Sequence, residues 1–297
     1  TRGHRLATKS GKMSVKVALP SGKRSDGGAQ RNETYWALKR ELDEFISRGP
    51  THDGATPLHH AAEEGDDVVI EALLAIGADV DEVDSEGQTA LMLAASWGHP
   101  SSVNALIRVG NASINLKDEG GDTALHEAAR ANELETLSEL ISLGADKDAR
   151  NKLGATPLLL ASHAGHKRIV VALLDAGAAA TGKKSLMRGG YSPLHAAAAN
   201  GSTECLQDLI DAGASLRHSA SDSALGRGTA GGGNNGSRGS ATALELAEDL
   251  GQSGSASLLK RASVSEFERY GMWGNPADAA AAGAGEDDGG EYDGGVD

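Results

Sequence analysis

The chain has 297 residues, of which only 3% are aromatic and 40 are glycines, and its formal net charge is −14. So few aromatic rings argue against a compact domain built on large core side chains, whereas stacked helix layers pack with alanine and leucine. The acidic balance argues against duplex nucleic acid as a partner. The sequence contains no stretch of about 18 apolar residues, so it predicts no membrane-spanning helix.

The N-terminal 31 residues carry eight basic side chains and one acidic one, with frequent glycine and serine. This composition predicts a disordered basic arm, and the remnant of an organelle transit peptide is the alternative. The single cysteine, Cys205, excludes an internal disulfide and fits a reducing compartment. We therefore expect the protein in the cytoplasm, or in an organelle if the arm is a transit-peptide remnant.

An amphipathic helix is predicted over 33–48, within a segment (32–50) that precedes the repeats described next. Its expected role is an N-terminal cap, because the first unit of a stack otherwise exposes an apolar face. A helix that docks on a partner is the alternative.

Internal repeats dominate residues 51–262. A threonine or serine opens each of six copies, and the steps between them are 33, 34, 33, 36 and 50 residues. The opening residues are Thr56, Thr89, Thr123, Thr156, Ser192 and Thr242.

Each recurring position has a local physical reason. Threonine followed by proline, as at Thr56-Pro57, is an N-cap followed by a residue with no amide to leave unsatisfied. Nine residues after the threonine stands a glycine such as Gly65, or Asn132 in the third copy, which predicts a left-handed helix end. Twenty-one residues after the threonine, glycines predict the same ending for a second helix. These are Gly77, Gly110, Gly144, Gly177 and Gly213.

The period near 33 with T-P-L-H at its head resembles the ankyrin repeat. The resemblance covers about two thirds of the chain, and it implies an all-α solenoid of paired antiparallel helices joined by hairpin loops, with about six repeats. It also implies that His59, His126 and His195, at the fourth position of this motif, bond within and between repeats.

Two departures from the period lie in the fifth and sixth repeats. The hairpin over 178–191 is long and basic, and the G-x-x-x-x-G-K-K of residues 177–184 lacks the serine or threonine and the strand–loop–helix context of a phosphate-binding loop. A Gly/Ser-rich insertion over 218–240 predicts a flexible linker at a hairpin tip. The sixth copy has Lys260 where an apolar residue is expected, which suits a C-terminal cap.

The tail covers residues 263–297. Ser265 and Glu268 have capping-box spacing, which predicts one or two helical turns over 265–273. Aromatic residues over 267–273 either fold back on the last repeat or form a recognition motif, and the acidic remainder is predicted to be disordered. The sequence KRASVS also makes Ser263 a weak candidate for phosphorylation.

No arrangement of residues predicts an enzyme, a cofactor site or a metal site. Equivalent histidines of adjacent repeats are separated by the spacing of packed helices, about 8–10 Å, which is too far to share a metal. His163 and His166 straddle a predicted helix end, and no catalytic nucleophile motif is present.

The resemblance implies a concave face for a protein partner, built from hairpin tips and the ends of first helices. Trp97 stands out there, because no core role requires a tryptophan, although lying flat on the neighbouring repeat is an equal alternative. The glutamates of the first repeats suggest a basic partner segment, and Arg130 is expected to stack on Trp97 or pair with a partner carboxylate. The candidate contact residues, here called the ladder residues, are Glu63, Glu64, Glu86, Trp97, Asp122, Arg130 and His163.

The sequence thus predicts a monomeric, non-enzymatic adaptor that binds another protein. A chaperone or escort for a basic or hydrophobic client, and a regulatory subunit of an enzyme, remain alternatives at this point.

Overall fold

The computed structural model describes residues 54–181, 190–221 and 240–270. It also describes two short strands near the N-terminus, β1 (Arg5–Leu6) and β2 (Val15–Lys16), which pair antiparallel. The predicted capping helix lies outside the described residues, and so do residues 182–189 of the basic hairpin, residues 222–239 of the insertion and the tail from 271 onward.

Within the described residues the chain is mostly helical, and six first helices alternate with six second helices. The first helices are α1 (Pro57–Glu64), α3 (Ala90–Ser96), α5 (Ala124–Ala131), α7 (Pro157–Ala164), α9 (Pro193–Asn200) and α11 (Ala243–Asp249). The second helices are α2 (Asp67–Ala75), α4 (Pro100–Arg108), α6 (Leu134–Ser142), α8 (Lys167–Asp175), α10 (Thr203–Asp211) and α12 (Ser253–Tyr270).

The predicted N-caps are confirmed. Each first helix follows a threonine or serine in extended backbone, and the hydroxyl of Thr89, Thr156, Ser192 or Thr242 accepts from the amide three residues on, as Thr156 does from Leu159 at 3.3 Å. A proline occupies the first turn of α1, α7 and α9, where its missing amide costs nothing.

The helix ends follow the predicted glycines with one exception. Gly65 has φ +75° and Asn132 has φ +66°, so both end a first helix in the left-handed region. At the end of α4 the prediction was wrong by one residue, because Asn111, not Gly110, has the positive φ of +58°. Gly110 is required for space instead, since a Cβ there would lie 2.7 Å from the carbonyl oxygen of Leu106.

The helices form two layers. Each first helix packs on the next first helix, each second helix packs on the next second helix, and the two helices of a repeat pack on each other. Alanines such as Ala61, Ala94 and Ala128 are fully buried between first helices, and leucines fill the space between the layers. The main core is therefore a continuous cluster that runs through all six repeats, and a small second cluster is formed by Ala155, Leu159 and Ala196.

Two features of the insertion and the last helix do not follow from the repeat period. The ends of the insertion pair as antiparallel strands β3 (Ser219–Ser221) and β4 (Ser240–Thr242). The helical turns predicted from Ser265 are present as far as Tyr270, but they do not begin at an N-cap there, because α12 continues through Ser265 and its hydroxyl donates to the carbonyl of Ala262 at 2.9 Å. None of the described helices is both long and apolar enough to span a membrane.

Candidate partner-binding face

The hairpin tips form one edge of the solenoid. Asp84, Asp118 and Asn151 occupy the same position in three hairpins, and a side-chain oxygen of each accepts from backbone amides inside its own turn. Neighbouring tips are joined by backbone bonds, from the Glu119 amide to the Glu86 carbonyl at 3.1 Å and from the Lys152 amide to the Gly120 carbonyl at 2.9 Å. The tips are therefore held in fixed register.

Histidines at the start of second helices fix the register of the first-helix ends. His99 Nε2 lies 2.9 Å from the carbonyl oxygen of Glu63, and His166 Nε2 lies 3.1 Å from that of Arg130. Successive repeats are thus joined beside their ladder positions, and the last residues of the first helices form one row.

The ladder residues differ in exposure. Trp97, directly after α3, is 57% exposed. Glu64, Glu86 and His163 are exposed, and the side chain of Glu63 is 43% exposed. The remaining two ladder residues, Asp122 and Arg130, form a pair of their own.

Arg130 pairs with carboxylates of its own repeat. Its guanidinium donates to Glu127 Oε1 at 2.6 Å and to Asp122 Oδ2, and Asn151 Nδ2 from the next hairpin donates to Asp122 Oδ1 at 2.8 Å. Asp122 is buried, so its carboxylate orients Arg130, whose side chain is half exposed. From the sequence Arg130 was expected to stack on Trp97 or to pair with a partner carboxylate, and this pairing within the repeat was not predicted.

The same group of acids is the one cluster of the described residues with metal-ligand spacing. Carboxylate oxygens of Asp118, Asp122 and Glu127 lie within 4.8 Å of one another, and Arg130 pairs with two of these acids, Asp122 and Glu127. Burial raises the pKa of Glu127, and Arg130 opposes that rise. Burial alone would lower the pKa of Arg130, but its bonds to Asp122 and Glu127 raise it. The cluster reads as a structural ion-pair network.

The three motif histidines are structural, as the resemblance implies. In His59, Nδ1 accepts from the Thr56 amide at 3.1 Å, so Nε2 carries the hydrogen that is donated to the Gln88 carbonyl in the next hairpin, 3.0 Å away. His126 and His195 make the same pair of contacts. Each imidazole therefore fastens its own N-cap and the following repeat.

In the sixth repeat a glutamate stands where those histidines stand. Glu245 Oε2 accepts from the Thr242 amide at 2.9 Å, which reproduces the bond within the repeat. This is a capping box, and a carboxylate suffices because no later repeat follows within the described residues.

The first repeat is strongly acidic. Residues 54–87 contain five aspartates, five glutamates and no lysine or arginine. All five aspartates accept hydrogen bonds within the fold, as Asp81 does from the Ser113 amide at 2.9 Å and Asp66 does from the Val69 amide at 3.0 Å. The glutamates are the more exposed set, and three of them are ladder residues.

A second acidic surface lies on the opposite side of the solenoid. A groove of about 400 Å³ runs between second helices and is lined by Asp67, Glu71, Asn104, Val109 and Glu139, among others. Val109 is 57% exposed, which equals the exposure of Trp97. Residues on this side of the solenoid can therefore serve as a control for substitutions of the ladder residues.

Comparison with known proteins identifies the repeats. The family described as "Ankyrin repeats (3 copies)" matches residues 29–118, 58–151 and 125–220, which together span well over half of the chain. The chain belongs to the ankyrin-repeat family, whose repeats generally mediate protein–protein interaction.

The relatives are diverse. The chain is 33% identical over 141 residues to the transient receptor potential cation channel subfamily A member 1 homolog of Caenorhabditis elegans, covering 48% of this chain and 11% of that protein. It is 36% identical over 162 residues to the nuclear factor NF-kappa-B p105 subunit of Gallus gallus, covering 54% and 16%. It is 32% identical over 187 residues to the probable E3 ubiquitin-protein ligase XBOS32 of Oryza sativa subsp. japonica, covering 59% and 34%. The chain thus spans about a third or less of each of these proteins, and what they share with it is the repeat region.

Proposed function

We propose that this chain is a non-enzymatic adaptor that binds a basic segment of another protein along its ladder residues. The observation that carries the proposal is the exposed row formed by Glu63, Glu64 and Trp97 at the ends of two adjacent first helices. Glu64 and Trp97 occupy equivalent positions of their repeats, eight residues after the opening threonine.

Charge supports a basic partner. The first repeat has no lysine or arginine of its own among ten acidic side chains, so a partner lysine or arginine would relieve repulsion between like charges. The side chains of the aspartates accept hydrogen bonds within the fold, whereas the side chains of Glu63 and Glu86 accept none of the capping or turn hydrogen bonds described above. A partner can therefore contact these two glutamates without breaking those bonds.

Trp97 supplies the apolar part of the interaction. An indole exposed beside carboxylates offers a flat surface for the stem of a lysine or arginine and an electrostatic attraction for its cationic head. His99, two residues further on, holds the Glu63 backbone, so the position of Trp97 relative to the first repeat is fixed before any partner arrives.

The test is affinity capture from extract of the native cells, with quantitative mass spectrometry, at low and high salt. The test variant is Trp97→Ala/Glu63→Lys/Glu64→Lys. The matched control is Val109→Ala/Glu71→Lys/Glu135→Lys. It removes an equally exposed apolar side chain and reverses the charge at two exposed glutamates of the second helices.

We expect proteins that are retained by the wild type and the control, lost by the test variant and weakened by salt. Equal retention by all three chains would contradict the proposal. Loss by the control alone would place binding in the groove between second helices.

A further inference from the structure

The last helix of the solenoid extends beyond the part that the repeats hold. In its first two turns Ser255, Ala256 and Leu259 are buried against α10 and α11. From Lys260 to Ser265 no side chain is buried, and Val264 is 57% exposed. Residues 260–265, here called the overhang, are helical but lack the buried side chains that stabilise the other helices.

The overhang contains a serine with a distinctive charge pattern. Lys260 and Arg261 precede Ser263 by three and two positions, and the exposed Val264 follows it. Among the serines and threonines of the described residues, Ser263 alone has a basic side chain at both of these preceding positions. Basophilic protein kinases bind such cations with acidic side chains beside their active sites, in charge-assisted pairs that need exposed basic groups.

The basic side chains are accessible. Arg261 is exposed, and the Lys260 side chain is 60% exposed while it pairs with Glu248 Oε1 of α11 at 2.6 Å. A surface pair of this kind contributes at most about 1 kcal/mol, so a kinase carboxylate can replace Glu248 at little cost.

The hydroxyl itself becomes accessible by local opening. The Ser263 Oγ donates to the Lys260 carbonyl at 2.8 Å, so it points back along the helix. A kinase binds its substrate as an extended segment, and this requires the overhang to unwind. Because none of its side chains is fully buried, opening removes little packing, and such segments lie at the low end of the range of local stabilities.

We propose that Ser263 is a phosphorylation site for a basophilic serine/threonine kinase. The Oγ of Ser263 attacks the γ-phosphorus of ATP, its proton passes to the kinase's catalytic carboxylate, and the bond to the ADP leaving group breaks. The product carries between one and two additional negative charges one helical turn from Lys260.

The modification has a predictable structural effect. Phosphorylation removes the hydrogen that Ser263 donates to the Lys260 carbonyl and places a phosphate where it competes with Glu248 for the Lys260 ammonium. The overhang is expected to fray, whereas the buried contacts of α12 up to Leu259 persist.

The experiment incubates the full chain with ATP and a basophilic kinase, alongside a free peptide covering residues 258–267. We expect one phosphate on Ser263, loss of labelling in Ser263→Ala, and unchanged labelling of Ser263 in Ser265→Ala. Arg261→Ala removes one charge-assisted contact and is expected to slow the initial rate about tenfold. Hydrogen exchange should accelerate in the overhang of the phosphorylated chain and remain unchanged in α10 and α11.

Three results would overturn the proposal. The first is labelling of the peptide without labelling of the folded chain, because the fold would then shield the site. The second is undiminished labelling in Ser263→Ala. The third is complete peptide coverage of residue 263 from native cells, under varied growth conditions, with no phosphate detected.

Discussion

His59, His126 and His195 show how much a single residue does in this fold. Each side chain accepts a backbone hydrogen bond at its own helix start and donates one to a carbonyl of the next repeat. Burial lowers the pKa of His126, and it lowers the pKa of His195 to about 4. The imidazoles of His126 and His195 are therefore neutral in the folded state. Protonation would destabilise the fold, because Nδ1 could then no longer accept a hydrogen bond.

This makes stability depend on pH in a defined direction. In the unfolded chain His195 has a pKa near 6.5, so between about 4 and 6.5 the unfolded state binds more protons than the folded state. The contribution of His195 is complete above pH 6.5 and is lost as pH falls towards 4, by about 1.4 kcal/mol per pH unit in that interval.

Denaturant unfolding at several pH values checks this, with His195→Leu as the comparison. The fourth repeat has the buried Leu159 at the equivalent position, so leucine is compatible with the repeat. Carboxylates contribute to both curves, and the difference between them isolates the histidine. If both proteins lose stability equally as the pH falls from 6.5, His195 does not carry the effect.

At the scale of the helix, stability depends on how each end is made. Most first helices end at a glycine with positive φ, but α5 ends at Asn132, with φ +66°. Asparagine tolerates the left-handed region better than other side chains, and glycine tolerates it best. The α4 ending differs again, because Asn111 takes the left-handed position while Gly110 leaves room for Val80 and Leu74.

Substitutions at Asn132 test this reading. We expect Asn132→Ala to lower the free energy of unfolding by about 1 kcal/mol, because alanine has no local polar group to offset the left-handed backbone. Asn132→Gly should leave stability equal or slightly higher. Thermal unfolding of the two variants measures the effect, and equal losses for both would show that the asparagine side chain, not its backbone conformation, is what matters.

At the scale of the whole molecule, the repeats are coupled through neighbours, and the insertion does not interrupt them. β3 and β4 pair Ser221 with Ser240, so the two ends of the insertion are adjacent. His195 Nε2 still reaches the Ala241 carbonyl at 3.2 Å across 46 residues of sequence. The fifth and sixth repeats therefore pack on each other as adjacent repeats do, although the segment between them is longer than a hairpin.

Replacing residues 222–239 by Asn-Gly is expected to preserve the fold. The strands already lie in hairpin register, and a shorter loop costs less closure entropy, so the free energy of unfolding should rise by about 1 to 2 kcal/mol. Circular dichroism and denaturant unfolding measure this. A variant that loses helix content or stability would mean that the insertion contributes contacts to the solenoid.

Much of this architecture could be read from sequence, because its signals are local. Threonine before the helix, glycine or asparagine after it, and apolar residues between them act within a few residues of themselves. The ends of the helices that stop at a glycine or asparagine were therefore predicted to within one residue. The bonds of the three histidines were expected from the resemblance to a repeat in which that position recurs.

Only the tertiary structure decided the features that join distant residues or depend on packing. The Arg130–Asp122–Glu127 network with Asn151 unites two hairpins and a helix, and no local pattern marks it. The closure of the insertion by β3 and β4 depends on residues about twenty positions apart. The capping-box spacing at Ser265 was overridden because α12, once anchored at Leu259, propagates through it at little cost. Sequence by itself determined the repeat and its local endings, because those depend on neighbouring residues, whereas the stacking of repeats determined which charges meet.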